Sequence, residues 1–373
     1  MLAQTPPMGW NSWNTFGHLI NEQVIREIAD AMVDLGLRDA GYEYVVIDDC
    51  WSLYERDEND RLVPDPEKFP SGMKALSDYV HSKGLKFGMY SCAGCMTCAR
   101  RPGSFDHEYL DAQTFADWGV DFLKYDFCYV PKHVDGPSLY RRMSMALKAT
   151  GREILFSACN WGSDEVEKWI RSTGAHMYRS TGDICDNPQS YIDISTSQID
   201  KLAYSAPGCY NDIDMLICGM GGKGNVGAGG CTPVQYKSHF ALWCLYQSPL
   251  MIGADIRNID EETLALLKNK ELLSILNDPE ARTAAFIRGG DRRSFVKVLA
   301  NNELLIALFN FTDQGDGMTF VDLTEVGVPS FSGYGLSGYE IFTGEKTGLI
   351  KDYLKVDVPA YDCKLYRMKL QKI

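Results

Sequence analysis

The chain has no basic excess: 37 Lys and Arg stand against 50 Asp and Glu, a formal net charge of −13 over 373 residues. Nucleic-acid binders carry basic patches, so no nucleic-acid partner is expected. An acidic balance also argues against a polyanionic substrate. Long apolar runs are missing too. None approaches the roughly 18 residues that a bilayer span requires, so no membrane partner is expected either. The first residues, Met1-Leu2-Ala3-Gln4-Thr5-Pro6-Pro7, hold neither a basic region nor an apolar segment. That reads as no signal peptide, with the cytoplasm as the expected location.

Metal and cofactor signatures are equally thin. The six histidines form no H-x-H or H-E-x-x-H pair, which disfavours a histidine-ligated metallohydrolase. Twelve cysteines in a cytosolic chain are expected to be mostly reduced. Cys92, Cys95 and Cys98 form a C-x2-C-x2-C run, but Ala99-Arg100-Arg101-Pro102 follows where a fourth cluster ligand belongs. Gly222-Lys223-Gly224-Asn225-Val226-Gly227 matches G-x-G-x-x-G without the ribose-binding acid expected about 20 residues on. It reads as a loop framing a substrate. No metal and no organic cofactor is expected.

What is present is a sizeable core, with 45% hydrophobic and 12% aromatic residues. The stretch Val120-Asp121-Phe122-Leu123-Lys124-Tyr125-Asp126-Phe127-Cys128 begins as a buried strand and then turns polar. Lys124 and Asp126, two apart, share one face of that strand. A neighbouring cation favours an ionised carboxylate, so Asp126 is expected to be charged. Similar strand-then-helix units recur. Tyr44-Val45-Val46-Ile47 ends in Asp48-Asp49, Leu85 to Tyr90 ends in Tyr90, and Ile154 to Trp161 ends in Asn160-Trp161. Helices are expected near 21–35, 73–82, 109–118, 138–149, 165–172, 191–203, 232–247 and 261–268. The one at Thr232-Pro233 opens with an N-cap and a proline at the first helical position.

Eight such units over about 280 residues predict an α/β fold, a (β/α)8 TIM barrel. After Asn277-Asp278-Pro279 the pattern changes to short alternating strands at 295–299, 304–309, 318–321, 338–342 and 354–358. Turns at Asn301-Asn302 and Gly315-Asp316-Gly317 separate them. The expected organisation is a barrel at 1–280 and a C-terminal antiparallel β-sandwich at 281–373, the latter a support domain.

In a barrel of this kind the active site forms at the C-terminal ends of the strands. Trp13, Asp48, Asp49, Tyr90, Lys124, Asp126, Asn160, Arg179, Asp183 and Asp214 all fall there. Asp126 lies beside Lys124, while Asp183 sits in a Gly-Asp-Ile turn four residues after Arg179. One carboxylate that stays ionised and one that can hold a proton are what glycoside hydrolysis needs. Trp13, Trp51, Tyr90 and Trp161 are candidates for the apolar face of a sugar, and Asp48 and Asp49 for its hydroxyls.

Several motifs stand in order along the chain: Pro7-Met8-Gly9-Trp10-Asn11-Ser12-Trp13, Ile47-Asp48-Asp49-Cys50-Trp51, Pro102-Gly103-Ser104, Leu123-Lys124-Tyr125-Asp126 with Cys128, and Asn211-Asp212-Ile213-Asp214-Met215. Together with Gln113 to Asp121 they resemble glycoside hydrolase family 27, the α-galactosidases, over essentially the whole chain. The resemblance implies a retaining glycosidase acting on small-molecule or oligosaccharide α-galactosides, with Asp126 as nucleophile and Asp183 as acid/base. It also implies that Trp13, Asp48, Asp49, Tyr90, Cys98, Lys124, Arg179 and Asp214 line the galactose subsite. Many relatives carry Cys-Glu-Trp where this chain has Cys159-Asn160-Trp161. Asn160 can hydrogen-bond a 2-hydroxyl in place of Glu. An α-N-acetylgalactosaminidase and an inactive sugar-binding barrel are the alternatives. Whether Cys98 and Cys128 are bridged, and whether the chain assembles into oligomers, is left open.

Overall fold

The computed structural model describes residues 2–315 and 318–373, so Asp316 and Gly317 of the expected turn lie outside the described residues. Eight parallel strands run through the first three-quarters of the chain. They are β1 (Met8–Asn11), β2 (Tyr44–Val46), β3 (Lys86–Cys92), β4 (Phe122–Asp126), β5 (Leu155–Cys159), β6 (Met177–Arg179), β7 (Tyr210–Asp212) and β8 (Leu250–Ile252). Their order in the sheet is β7-β6-β5-β4-β3-β2-β1-β8. The chain just after β7 closes the circuit through a parallel bridge from Leu216 to Ile252. Nearly every strand residue is buried, which is why the strands read as continuous apolar runs rather than alternating ones.

Among the described residues, nine α-helices surround or flank the strands: α1 (Trp13–Phe16), α2 (Glu22–Asp34), α3 (Gly72–Ser82), α4 (Glu108–Asp117), α5 (Gly136–Ala149), α6 (Pro188–Ser197), α7 (Pro233–Leu245), α8 (Glu261–Leu267) and α9 (Lys270–Leu276). The Asn21 side chain caps α2, and Thr232 with Gln235 forms a capping box on α7. Three local expectations are corrected. Trp13, expected at the C-terminal end of a strand, instead opens α1, because β1 stops at Asn11. The helix expected at 165–172 is two 3-10 turns, Ser163–Lys168 and Ile170–Thr173, because Asp164 and Glu165 take left-handed backbone angles. The helix expected at 191–203 begins earlier, at the Asn187 cap and Pro188, and gives way to a 3-10 segment at Ile199–Tyr204.

The C-terminal part holds a five-stranded antiparallel sheet in the order β13-β15-β11-β10-β9, and a two-stranded sheet of β12 and β14. The strands are β9 (Ala285–Arg288), β10 (Arg292–Leu299), β11 (Glu303–Asn310), β12 (Met318–Asp322), β13 (Tyr334–Glu340), β14 (Tyr353–Asp357) and β15 (Cys363–Lys372). Two of these, β9 and β15, are absent from the sequence reading. One face of the larger sheet, with Phe295, Leu305, Phe309 and Leu365, merges into the barrel's core. The other face, with Ile306, Leu308, Leu336 and Met368, packs on Val321, Leu354 and Val356 of the smaller sheet. Lys297 is buried at the junction and donates to the Ile275 carbonyl at the end of α9 (3.3 Å). Burial pulls that ammonium down to about 8, against the opposing pull of Asp278. No helix among the described residues is long and apolar enough to cross a membrane.

Candidate active site

The C-terminal ends of the strands enclose a cavity lined by Trp13, Asp48, Asp49, Tyr90, Cys98, Lys124, Asp126, Arg179, Asp183 and Asp214, together with Asn14, Cys159, Trp161, Met215 and Val226. Its side chains are positioned by hydrogen bonds from strand ends and turns. Asp48 follows β2 and accepts from Asn11 Nδ2 on β1 (2.8 Å), Lys124 Nζ on β4 (2.7 Å) and its neighbour's backbone, Asp49 N (2.9 Å). Asp49 accepts from Cys50 N (2.7 Å) and, across the cavity edge, from Ala99 N (2.9 Å). Burial pushes the Asp49 carboxyl up against these bonds.

Asp126 ends β4 and is only 5% exposed. Phe127 N donates to its Oδ1 (2.9 Å) and the Tyr90 hydroxyl to its Oδ2 (3.1 Å). The Lys124 ammonium is ion-paired with Asp48 rather than Asp126, although both side chains share one strand face as expected. Burial opposes the Lys124 charge, but Asp48 and the other acids around it more than compensate, and its affinity for a proton is raised. Around Asp126 the balance goes the other way. Desolvation outweighs Lys124 and the Phe127 bond and pushes the carboxyl up to about 6. The expectation of a charged Asp126 therefore needs amending: it is ionised at neutral pH and protonates in mild acid.

Arg179, at the end of β6 and buried, organises the opposite wall. One terminal nitrogen lies 2.6 Å from Asp214 Oδ2 and 2.8 Å from Asp183 Oδ1. Asp214 has a left-handed backbone (φ 95°), unusual for a residue other than glycine. Bonds from Asp214 N to Asp212 (2.9 Å), from Met215 N and Ile184 N to the Asp214 carboxylate (both 2.7 Å), and from the Trp243 indole to its carbonyl (2.7 Å) hold it there. Burial pushes Asp214 up to about 6 despite Arg179. Asp183, by contrast, has a side chain 69% exposed at the rim.

Two expected wall residues lie elsewhere. Asn160 is buried in its own turn: Nδ2 donates to Ser163 O (2.9 Å) and Oδ1 accepts from Gly162 N (3.3 Å). Its neighbour Trp161, in a left-handed conformation (φ 57°), lines the cavity. Trp51 is also core rather than wall. Its indole donates to Tyr90 O (2.9 Å) and its ring packs edge-on against Trp118 and Phe115. Met215 and Val226 had weaker signals, one following the Asn-Asp-Ile-Asp run and the other inside the glycine-rich loop.

Cys98 and Cys128 form a disulfide, and the other ten cysteines are free. Most thiols are therefore reduced, as expected, and the open question of the Cys98–Cys128 pair is answered by a disulfide, one half of which faces the cavity. Cys98, Cys128 and Asp126 also cluster closely enough to suggest metal ligands. Both sulfurs are bonded to each other, so neither is a thiolate, the form that binds metal. What the cavity offers instead is a buried carboxylate and an exposed one on different strand ends, among hydrogen-bonding groups suited to a polyhydroxylated ring.

A parallel barrel with that pair at its rim defines a glycoside hydrolase class of site. Comparison with known proteins is specific. A family model described as alpha galactosidase A matches residues 5–278. The α-galactosidase of Cyamopsis tetragonoloba is 41% identical over 367 residues, covering 98% of this chain and 86% of that one. The crystal structure of α-galactosidase I from Mortierella vinacea superposes with a TM-score of 0.90 at 33% identity, covering 98% and 97% of the two chains. The α-galactosidase of Saccharomyces cerevisiae, solved with raffinose, superposes with a TM-score of 0.89 at 29% identity, covering 99% and 98%. The chain belongs to the α-galactosidase family, glycoside hydrolase family 27, and is an enzyme of that class.

Proposed function

We propose that the protein removes terminal α-linked galactose by double displacement with retention. The observation that carries this is the contrast within one cavity between Asp126, buried and ionised above about pH 6, and Asp183, exposed at the mouth. A buried, dehydrated carboxylate suits attack on the anomeric carbon. An acid at the mouth faces the departing oxygen and exchanges protons with water. In the first step an Asp126 oxygen bonds to C1 as the glycosidic C–O bond breaks, and the Asp183 proton goes to the leaving oxygen. In the second, Asp183 takes a proton from water, whose oxygen displaces Asp126 from C1. Two inversions leave the α-anomer.

Asp48, Asp49 and Lys124 form a hydrogen-bonding group on one side for ring hydroxyls, and Arg179 with Asp214 forms another. Trp161 contributes an indole to the cavity lining, and on this reading it crowds the sugar's C2 substituent, so that galactose is preferred to N-acetylgalactosamine. Galactosides of the raffinose type are the natural substrates on this reading, since the Saccharomyces cerevisiae relative was solved with raffinose. The catalytic part comprises residues 1–280 and the support domain 281–373. A panel of nitrophenyl α-glycosides tests the proposal. The α-galactoside should be cleaved far faster than the α-glucoside or the 2-acetamido galactoside. Comparable kcat/KM on the acetamido substrate would overturn it.

A further inference from the structure

The glycine-rich segment between β7 and α7 is held in a way that the two-carboxylate chemistry does not call for. Within it, Val226 reaches the cavity wall. The segment folds back on itself so tightly that a Cβ on Gly227 would lie 2.4 Å from Gly222 O. Its hold comes from Asp186, three residues beyond Asp183 and fully buried. The Asp186 carboxylate accepts from Gly222 N (2.6 Å) and from the Tyr236 hydroxyl on α7 (2.9 and 3.0 Å). Tyr236 in turn accepts from Gly221 N (2.8 Å). The Asp186 backbone contributes as well: its N–H donates to Val226 O (3.0 Å), and its carbonyl accepts from Gly230 N (2.8 Å). On the far side, Val226 N donates to Asn14 O (3.1 Å), beside Trp13.

Two facts place this segment on the leaving-group side. A general acid must face the oxygen it protonates, so the aglycone departs past Asp183. The Asp183 turn continues directly into Asp186, which is paired with Gly227 in a parallel bridge. Val226 therefore stands next to the turn that carries the acid.

Resting on the galactosidase reading above, we propose that the glycine-rich loop is the wall of the leaving-group subsite, and that Asp186 and Tyr236 are positioning residues that latch it there. They act on the aglycone and on the acceptor that enters the same space in the second step. The ring subsite is built by other elements.

The test compares three substrates on wild type, Tyr236→Phe and Asp186→Asn. Galactosyl fluoride has no aglycone to bind and a leaving group that needs no proton. 2,4-Dinitrophenyl α-galactoside has a bulky aglycone and likewise needs no proton. Melibiose has a sugar aglycone and needs the proton. A displaced wall changes the kcat/KM ratio of the dinitrophenyl substrate to the fluoride by about tenfold or more, since misplacements near 1 Å have effects of that order or larger. It also lowers the ratio of transfer to hydrolysis when a sugar acceptor is added. A dinitrophenyl-to-fluoride ratio equal to wild type overturns the inference. If melibiose alone falls, the latch serves Asp183 rather than the wall, and the inference is again overturned. Tyr236→Phe removes one hydroxyl from a ring that otherwise stays packed, so it keeps the test available if Asp186→Asn does not fold. Failure of the wild type to cleave galactosyl fluoride would instead refute the galactosidase reading.

Discussion

Replacing Asp126 with Asn should abolish turnover and at the same time stabilise the protein, by an amount that depends on pH. The carboxyl is buried and titrates at about 6 instead of the ordinary 3.8. Each pKa unit corresponds to about 1.36 kcal/mol, so keeping this group ionised costs the fold about 3 kcal/mol at pH 7. Because the folded-state value is raised, the cost is absent at low pH, grows as pH rises from about 4 to 6, and is complete above 6. At pH 4 it amounts to only about 0.5 kcal/mol by the same relation. Asn has the same shape, accepts the Phe127 N–H through its carbonyl oxygen, and carries no charge to desolvate. Unfolding entropy near 2.1 cal/mol/K per residue makes 3 kcal/mol worth about 4 °C in a chain of this size. Calorimetry should therefore show the variant's Tm above wild type by about 4 °C at pH 7 and about 1 °C at pH 4. A variant less stable at pH 7, or an increment that does not change with pH, would refute the claim that burial dominates at Asp126.

Other outcomes follow from the same geometry. The acid limb of kcat/KM should have a midpoint near the Asp126 value of about 6, with activity falling below it because the protonated nucleophile cannot attack. A pH-rate profile flat down to pH 4 would exclude Asp126 from that role. Asp183→Ala should lose about 10²–10⁴-fold on substrates with poor leaving groups and far less on dinitrophenyl galactoside, with azide rescue yielding the α-azide; equal losses on both would exclude Asp183 as the acid. Trp161→Ala should narrow the preference for galactoside over its 2-acetamido counterpart, measured as a ratio of kcat/KM. Asn160→Ala should lower unfolding stability by about 1–2 kcal/mol, through loss of two local bonds, and shift that ratio less than Trp161→Ala does.

The barrel was legible because its strands are short apolar runs ending in polar residues, and that boundary is also where the cavity lies. Lys124 and Asp126 could be put on one face from their spacing alone. Their partners could not, because Lys124 reaches across to Asp48, 76 residues earlier, a pairing that arises only once β2, β3 and β4 lie side by side. Asn160 illustrates another limit. An amide at a strand end looks like a ligand for a hydroxyl, yet the left-handed turn at Trp161 exchanges the two side chains, and the amide satisfies its own loop. Trp51 was drawn into the core by neighbouring aromatics from α4 and just beyond it, which no local pattern announces. In the C-terminal part, β15 escaped notice because Lys364, Arg367 and Lys369 interrupt its apolar alternation. Those long side chains lie along a strand whose buried positions are Cys363, Leu365, Tyr366 and Met368. The 3-10 turns at 163–173 had helical composition but stand where two residues adopt positive φ.

The assignment of Asp126 as nucleophile is tested most directly by trapping the covalent intermediate. A 5-fluoro galactosyl fluoride should form the glycosyl-enzyme faster than water releases it, and peptide mapping by mass spectrometry then locates the sugar. The account predicts one equivalent of label on the peptide carrying Asp126, none on Asp183, and the α-anomer as first product by NMR with an unmodified substrate. Label on another carboxylate, or no label together with first appearance of the β-anomer, would contradict it.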